Sequence, residues 1–272
     1  MVIAALDVRP AAGGPLNWEW YVGAFVGAAF PASDDLKVES SFTDTVTSPF
    51  FAPFTETLTE TVKARGANFD TGPVAGVKGG FCPGFLPYVC AELGFAYLSP
   101  SLSSQVTAGE TQASFDGTVF FTSNSAQLVP IDLSVWELGL ALIGRLPLLR
   151  DENYPLEGRL HLYLGAGPTV VWTRARNVCA GIVGLSGQIC GGTGTSTSLG
   201  VQALGGVKFF ITRNLAVFGE YQFKHWTADF DFSGSTSQSF GSGISVTTQS
   251  RTRVTDLDFN IQTFSIGLAF HF

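Results

Sequence analysis

The chain is short of the residues that build most helical and catalytic proteins. It has a single Met and three His, and Asp, Glu, Lys and Arg together make up only 14% of its 272 residues. The 15 Lys and Arg are scattered and the net charge is −7, so there is no concentrated basic surface of the kind phosphate binding needs, which excludes nucleic acid as a partner. No stretch approaches the roughly 18 consecutive apolar residues of a membrane-spanning helix. Mean hydropathy is nonetheless +0.26; if this chain crosses a membrane, it does so with strands. No nucleophile motif, phosphate loop or metal-ligand spacing is present, and no cofactor is implied. The opening MVIAALDVRPAAGG lacks a basic n-region, and its apolar run is shorter than the roughly 7–15 residues of a secretory h-region. Residues 1–17 therefore read as a lead segment ahead of one domain at 18–272.

What the chain does have is aromatic residues (13%, with 24 Phe), 32 Gly, and alternation with a period of two. The last residues, FSIGLAFHF, place Ile266, Leu268, Phe270 and Phe272 on one face and Ser265, Gly267, Ala269 and His271 on the other, with His271 expected to be solvated at the strand's end. Eight such segments are legible, near 18–30, 69–81, 88–98, 132–145, 159–173, 198–210, 215–227 and the C-terminus. In each, one face is uniformly apolar and the other mixes Gly with charges of both signs. A soluble two-sheet sandwich would need the apolar faces inside and those charges outside. The inverse assignment, apolar faces toward lipid, gathers Glu19, Lys78, Glu92, Glu137, Arg145, Arg159, Lys208, Glu220 and Lys224 in a closed interior, with His161 on the same face.

Connection lengths alternate. Gaps at 31–68, 99–131, 174–197 and 228–255 are long, and the others are short, as at Thr212-Arg213-Asn214. Long outer loops and short inner turns are the habit of outer-membrane barrels. Two aromatic girdles are expected: Trp18, Trp20, Phe81, Tyr88, Phe209, Phe270 and Phe272 at the inner rim, and Phe30, Tyr97, Trp136, Trp172 and Trp226 at the outer. The four cysteines form two local pairs, Cys82 with Cys90 and Cys179 with Cys190, without zinc-like spacing. Disulfides are expected, each closing a short loop and stabilising by about 2–3 kcal/mol.

The pattern Ser265-x-Gly267-x-x-Phe270-x-Phe272, the opening WYVGAFVGAAF and the segment GEYQF (219–223) resemble the eight-stranded outer-membrane barrels of the OmpA, OmpX and Opa type. The resemblance implies an all-β, up-and-down antiparallel transmembrane barrel in the cell outer membrane. It also implies an interior filled by side chains and a C-terminal strand read by the barrel-assembly machinery. The connection 146–158 (LPLLRDENYPLEG) is longer than the family's inner turns. Two segments, 41–47 (SFTDTVT) and 54–63 (FTETLTETVK), alternate around a Ser-Pro breaker, and 239–254 behaves similarly. They resemble the protruding sheet of OmpX-type proteins, where Thr- and Ser-rich strands either cover the barrel top or contact a surface ligand. In KHWTADFD (224–231), His225, Thr227 and Asp229 share a face, similar to the His-x-Ser of barrel lipid A deacylases but with Thr in place of Ser. The primary expectation is a structural or surface-contact barrel embedded in outer-membrane lipid, without catalysis.

If the last strand is an assembly signal, replacing Phe270 and Phe272 by Ser in an exported version should abolish surface exposure. Protease accessibility on intact cells measures this, and normal exposure of the variant would remove the sorting role.

Overall fold

A strand with one apolar and one mixed face needs neighbours on both edges, and the chain supplies them in sequence order. The computed structural model describes residues 18–50, 52–115, 117–128, 131–151, 153–180, 189–240 and 244–272. The strands are β1 (Glu19–Pro31), β2 (Asp34–Thr47), β3 (Phe54–Ala67), β4 (Phe69–Asp70), β5 (Gly72–Cys82), β6 (Val89–Leu98) and β7 (Ser101–Leu102). They continue with β8 (Gln105–Phe115), β9 (Thr118–Leu128), β10 (Ile131–Arg150), β11 (Gly158–Ala180), β12 (Ile189–Phe210), β13 (Leu215–Phe240) and β14 (Ile244–His271). Every pairing is antiparallel.

The ladders run β1, β5, β6, β10, β11, β12, β13, β14, and β14 pairs back onto β1 from Tyr21↔His271 to Pro31↔Ile261. Reciprocal hydrogen bonds between Trp20 and Phe272, at 3.1 and 3.0 Å, lock the closing edge. The upper part of β14 turns away from β1 and pairs with β2, which starts a second run, β14, β2, β3, β8, β9. The expected hairpin around the Ser-Pro breaker is β2–β3. The β8–β9 hairpin was not anticipated, because its alternation is weak. The long inner connection is shorter than the sequence suggests: residues 146–150 remain in β10 and pair with the start of β11, leaving 151–157 as the turn.

Within the ring, the apolar faces point outward. Val22, Val26, Leu140, Leu164, Val201, Ile266 and Phe270 are exposed, whereas Lys78, Glu92, Glu137 and Glu220 are buried. Higher up, the facing reverses. On β13 the inward residues change from Glu220, Gln222 and Lys224 to Trp226, Phe230 and Phe232, and the outward residues change from Val217, Tyr221 and Phe223 to Thr227 and Asp229. Read back from its end, β14 does the same: Thr263 and Ser265 give way to Ile261, Phe259 and Leu257 inside. Above that level the molecule has the polarity of a soluble sheet. The expectation of a wholly polar interior is corrected here, since the outer half of the interior is an apolar cluster that includes Trp226, Phe259, Ile261, Leu98 and Val135.

Among the described residues of the outer sheet, Glu60 on β3 is a buried carboxylate, between Ser40 of β2 and Ala113 of β8 in the ladders. Burial pushes its pKa up to about 7. A folded-state pKa raised above the unfolded value makes the protonated form the stabilising one: its contribution is complete below the unfolded pKa and is lost as pH rises through about 7. Amide hydrogen exchange in β2 and β3, corrected for intrinsic rates, should therefore show lower protection at pH 8 than at pH 5. Glu60→Gln should flatten that dependence; an unchanged slope would place its cause elsewhere.

Candidate functional site

The inner half of the ring interior is the chain's concentration of buried charge. Alternation sends Glu19 and Tyr21 of β1, Lys78 of β5, Glu92 of β6 and Glu137 and Arg145 of β10 to the same side. It does the same for His161 of β11, Lys208 of β12, Glu220 and Lys224 of β13 and His271 of β14. Desolvated charges are costly unless paired, and most of these pair across the ring. The Lys78 ammonium donates to Glu220 at 2.6 Å and lies 3.4 Å from Glu92. The Glu92 carboxylate also accepts the Tyr21 hydroxyl at 2.6 Å, and Glu220 accepts the Gln222 amide at 2.6 Å. Arg145 forks onto both oxygens of Glu19 at 2.7 and 2.5 Å and spends its Nε on the Pro87 carbonyl. Lys224 is ion-paired with Glu137. The Lys208 ammonium forms none of the ion pairs found among the described residues and lies 4.0 Å above the Tyr21 ring.

Among the described residues the interior includes two small cavities, each with room for about one water-sized molecule. One is lined by Tyr21, Glu92, Arg145, His161, Tyr163 and Lys208, the other by residues including Lys78, Glu137, Gln202 and Gln222. The arrangement joins strands far apart in sequence and fills the space between them.

Several expectations are corrected. Arg159 stands exposed at the rim with its guanidinium 4.9 Å from the Phe209 ring and its Nε on the Phe210 carbonyl, outside the network. His271, read from sequence as a solvated terminal residue, is 2% exposed and its Nδ1 lies 2.8 Å from Glu19. Trp226 is no girdle residue: it is buried inside and stacked on Phe259, at 5.2 Å between centroids. Phe30, Tyr97 and Trp172 do face outward. His225, Thr227 and Asp229 share the outward face, but the His225 ring contacts Asn260 at 2.9 Å and the Thr227 hydroxyl donates to Asp258 at 2.5 Å. Among the described residues no hydrogen bond joins His225 to Thr227.

Cys82 and Cys90 form a disulfide on the inner face. The backbone register sets Cys179 opposite Cys190, but their side chains lie outside the described residues. In the terminal pattern Ser265 points inward, Phe270 and Phe272 outward, and a Cβ at Gly267 would meet the Ala24 carbonyl at 2.3 Å and the Phe218 ring at 2.5 Å. Tyr21 and Gln222 were missed as network members. Their signal was their parity with Glu19 and Glu220.

No family model matches the chain, nor does any curated protein sequence. Among solved structures it is similar to the outer membrane protein OprG from Pseudomonas aeruginosa, with 12% identity over 89% of this chain and 98% of that one and a TM-score of 0.40. It is similar to neisserial surface protein A (NspA), with 11% identity over 83% and 99% of the two chains and a TM-score of 0.34. Ail, the attachment invasion locus protein of Yersinia pestis, gives 10% identity over 88% and 99% and a TM-score of 0.31.

Removing one partner of a buried pair leaves the other charge stranded. Glu137→Gln, which strands Lys224, and Glu220→Gln, which leaves Lys78 only the longer contact to Glu92, are each expected to destabilise by about 3–5 kcal/mol. Urea unfolding in detergent micelles measures it; unchanged midpoints in both variants would mean that these groups are hydrated.

Proposed function

We propose that this protein is an eight-stranded outer-membrane barrel with a plugged interior, whose outer sheet makes contacts at the cell surface and which carries out no chemistry of its own. The observation that carries this reading is the reversal of facing along β13 and β14. Below it, apolar side chains point outward and paired charges fill the inside, as hydrocarbon requires of a closed sheet. Above it, polar side chains point outward and apolar ones inward, as water requires.

On this reading the β2–β3 and β8–β9 hairpins stand outside the cell. The edge of their sheet is β9, TVFFTSNSAQL, which has no charged residue and no Pro. Its interior neighbours do carry charge: Lys37, Glu39 and Asp44 on β2, Glu56, Glu60 and Lys63 on β3, and Glu110 on β8. Protected edges show the opposite distribution, so β9 is suited to receive an extended partner strand. Insertion by way of the barrel-assembly machinery, guided by Ser265, Gly267, Phe270 and Phe272, belongs to the same proposal.

Protein refolded into detergent should migrate differently on a denaturing gel before and after boiling, and a chain that stays folded without detergent would refute the barrel. For the surface role, displaying the chain on a bacterium should raise adhesion to protein-coated surfaces. Val119→Lys together with Phe121→Lys should remove the gain without altering heat-dependent migration; equal adhesion would refute the contact role.

A further inference from the structure

The hairpin that joins β5 to β6 differs from the other inner turns. Residues 79–91, GGFCPGFLPYVCA, contain no charge, whereas the turn at 151–157 carries Asp151 and Asn153 and the turn at 211–214 carries Arg213. Phe85, Leu86 and Tyr88 are 64%, 51% and 49% exposed at its tip. Solvent-facing turns rarely present three large apolar side chains side by side.

Two features show which way the turn faces. Phe85 lies edge-on to Trp18 at 6.4 Å, Trp18 stacks on Phe81 at 4.9 Å, and Phe81 contacts Trp20 at 4.4 Å. The tip thus extends the outward-facing aromatic patch of β1 and β5. On the opposite side the Cys82–Cys90 disulfide is buried with Tyr21, Ile143 and Tyr163.

The base of the turn is tied to the barrel wall. Pro83 and Pro87 have no N–H to leave unpaired, Leu86 N–H donates to Pro83 O at 2.9 Å and Val89 N–H to Leu86 O at 3.0 Å. Arg145 Nε donates to Pro87 O at 2.8 Å, and Arg145 N–H to Tyr88 O at 2.9 Å.

We propose that the β5–β6 turn is a phospholipid anchor: Phe85 and Leu86 enter the boundary between headgroups and acyl chains of the inner leaflet, and the Cys82–Cys90 disulfide holds the turn in that pose. The occupant follows from continuity, since the patch runs without a polar break into the outward faces of β1 and β5. The proposal rests on the outer-membrane reading above. Because the other inner turns carry polar tips, the anchor acts on one sector of the rim only, and it couples seating in the bilayer to an oxidising compartment.

The test is photo-crosslinking with Phe85→p-benzoylphenylalanine in the full chain, refolded into vesicles of phosphatidylethanolamine and phosphatidylglycerol, irradiated and weighed by mass spectrometry. The expected result is an adduct of one phospholipid mass. The same group at Phe50, in the β2–β3 connection, should give none. Adding Cys82→Ser and Cys90→Ser should lower the adduct yield several-fold. A chain that migrates as folded but yields no lipid adduct at position 85 overturns the anchor and leaves the barrel standing. A chain that never inserts overturns both, and an undiminished yield in the Ser variant overturns the role of the disulfide.

Discussion

Everything in this molecule depends on one edge being closed. The last strand pairs with β13 on one side and with β1 on the other, and the reciprocal Trp20–Phe272 hydrogen bonds fix its end. An open edge would leave a row of N–H and C=O groups on each of two strands, costly in hydrocarbon and sticky in water. Closure also creates the interior. His271 reaches Glu19 only because β14 lies beside β1, and Glu19 in turn holds Arg145 of β10. The aromatic residue at the C-terminus thus has a structural task at the seam, independent of any recognition by assembly factors.

The interior charges act on register. Lys78 and Glu220 are 142 residues apart, and Glu19 and Arg145 are 126 apart. A one-residue slip of any contributing strand would turn its charge toward the outer face and strand its partner inside. Such pairs are weak evidence for stability, since well-packed apolar side chains fill a core as well. They penalise wrong pairings heavily, however, which is what a sheet built from similar alternating strands needs. Gly80 shows the accompanying constraint: a Cβ there would lie 2.0 Å from the Tyr21 ring, so this ring reaches Glu92 only across a glycine.

Much of this was legible in the sequence. Period-two alternation located the ring strands, the mixed face of each named most of the interior charges, and the Ser-Pro breaker marked the β2–β3 hairpin. Arg159 was misassigned because parity carries no information about where a strand ends: it shares parity with His161, but it sits at the rim where water is available. His271 failed for the converse reason, since its nearness to the terminus suggested exposure while the closing ladder buried it. Trp226 was placed in a girdle by residue type, against its own parity with Lys224. The β8–β9 hairpin is hard to read because its alternation lacks apolar contrast, and the network members Tyr21 and Gln222 carry no charge to mark them.

The reversal of facing was present in the sequence as well. In WTADFDF (226–232) the apolar residues continue at even positions, directly after a stretch in which even positions are Glu220, Gln222 and Lys224. Its height has an independent marker in the backbone. The β12–β13 ladder stops at Gly200↔Trp226, and the β14–β1 ladder stops at Pro31↔Ile261. Both ladders therefore end where β13 and β14 exchange a charged interior for an apolar one. Side-chain polarity and backbone pairing obey separate requirements, one set by what lies beside the wall and the other by whether water can satisfy an unpaired edge. Here both change at one level. Above it the β13–β14 hairpin leaves β1 and β12 and carries the outer sheet alone, at a height where unpaired backbone can be hydrated.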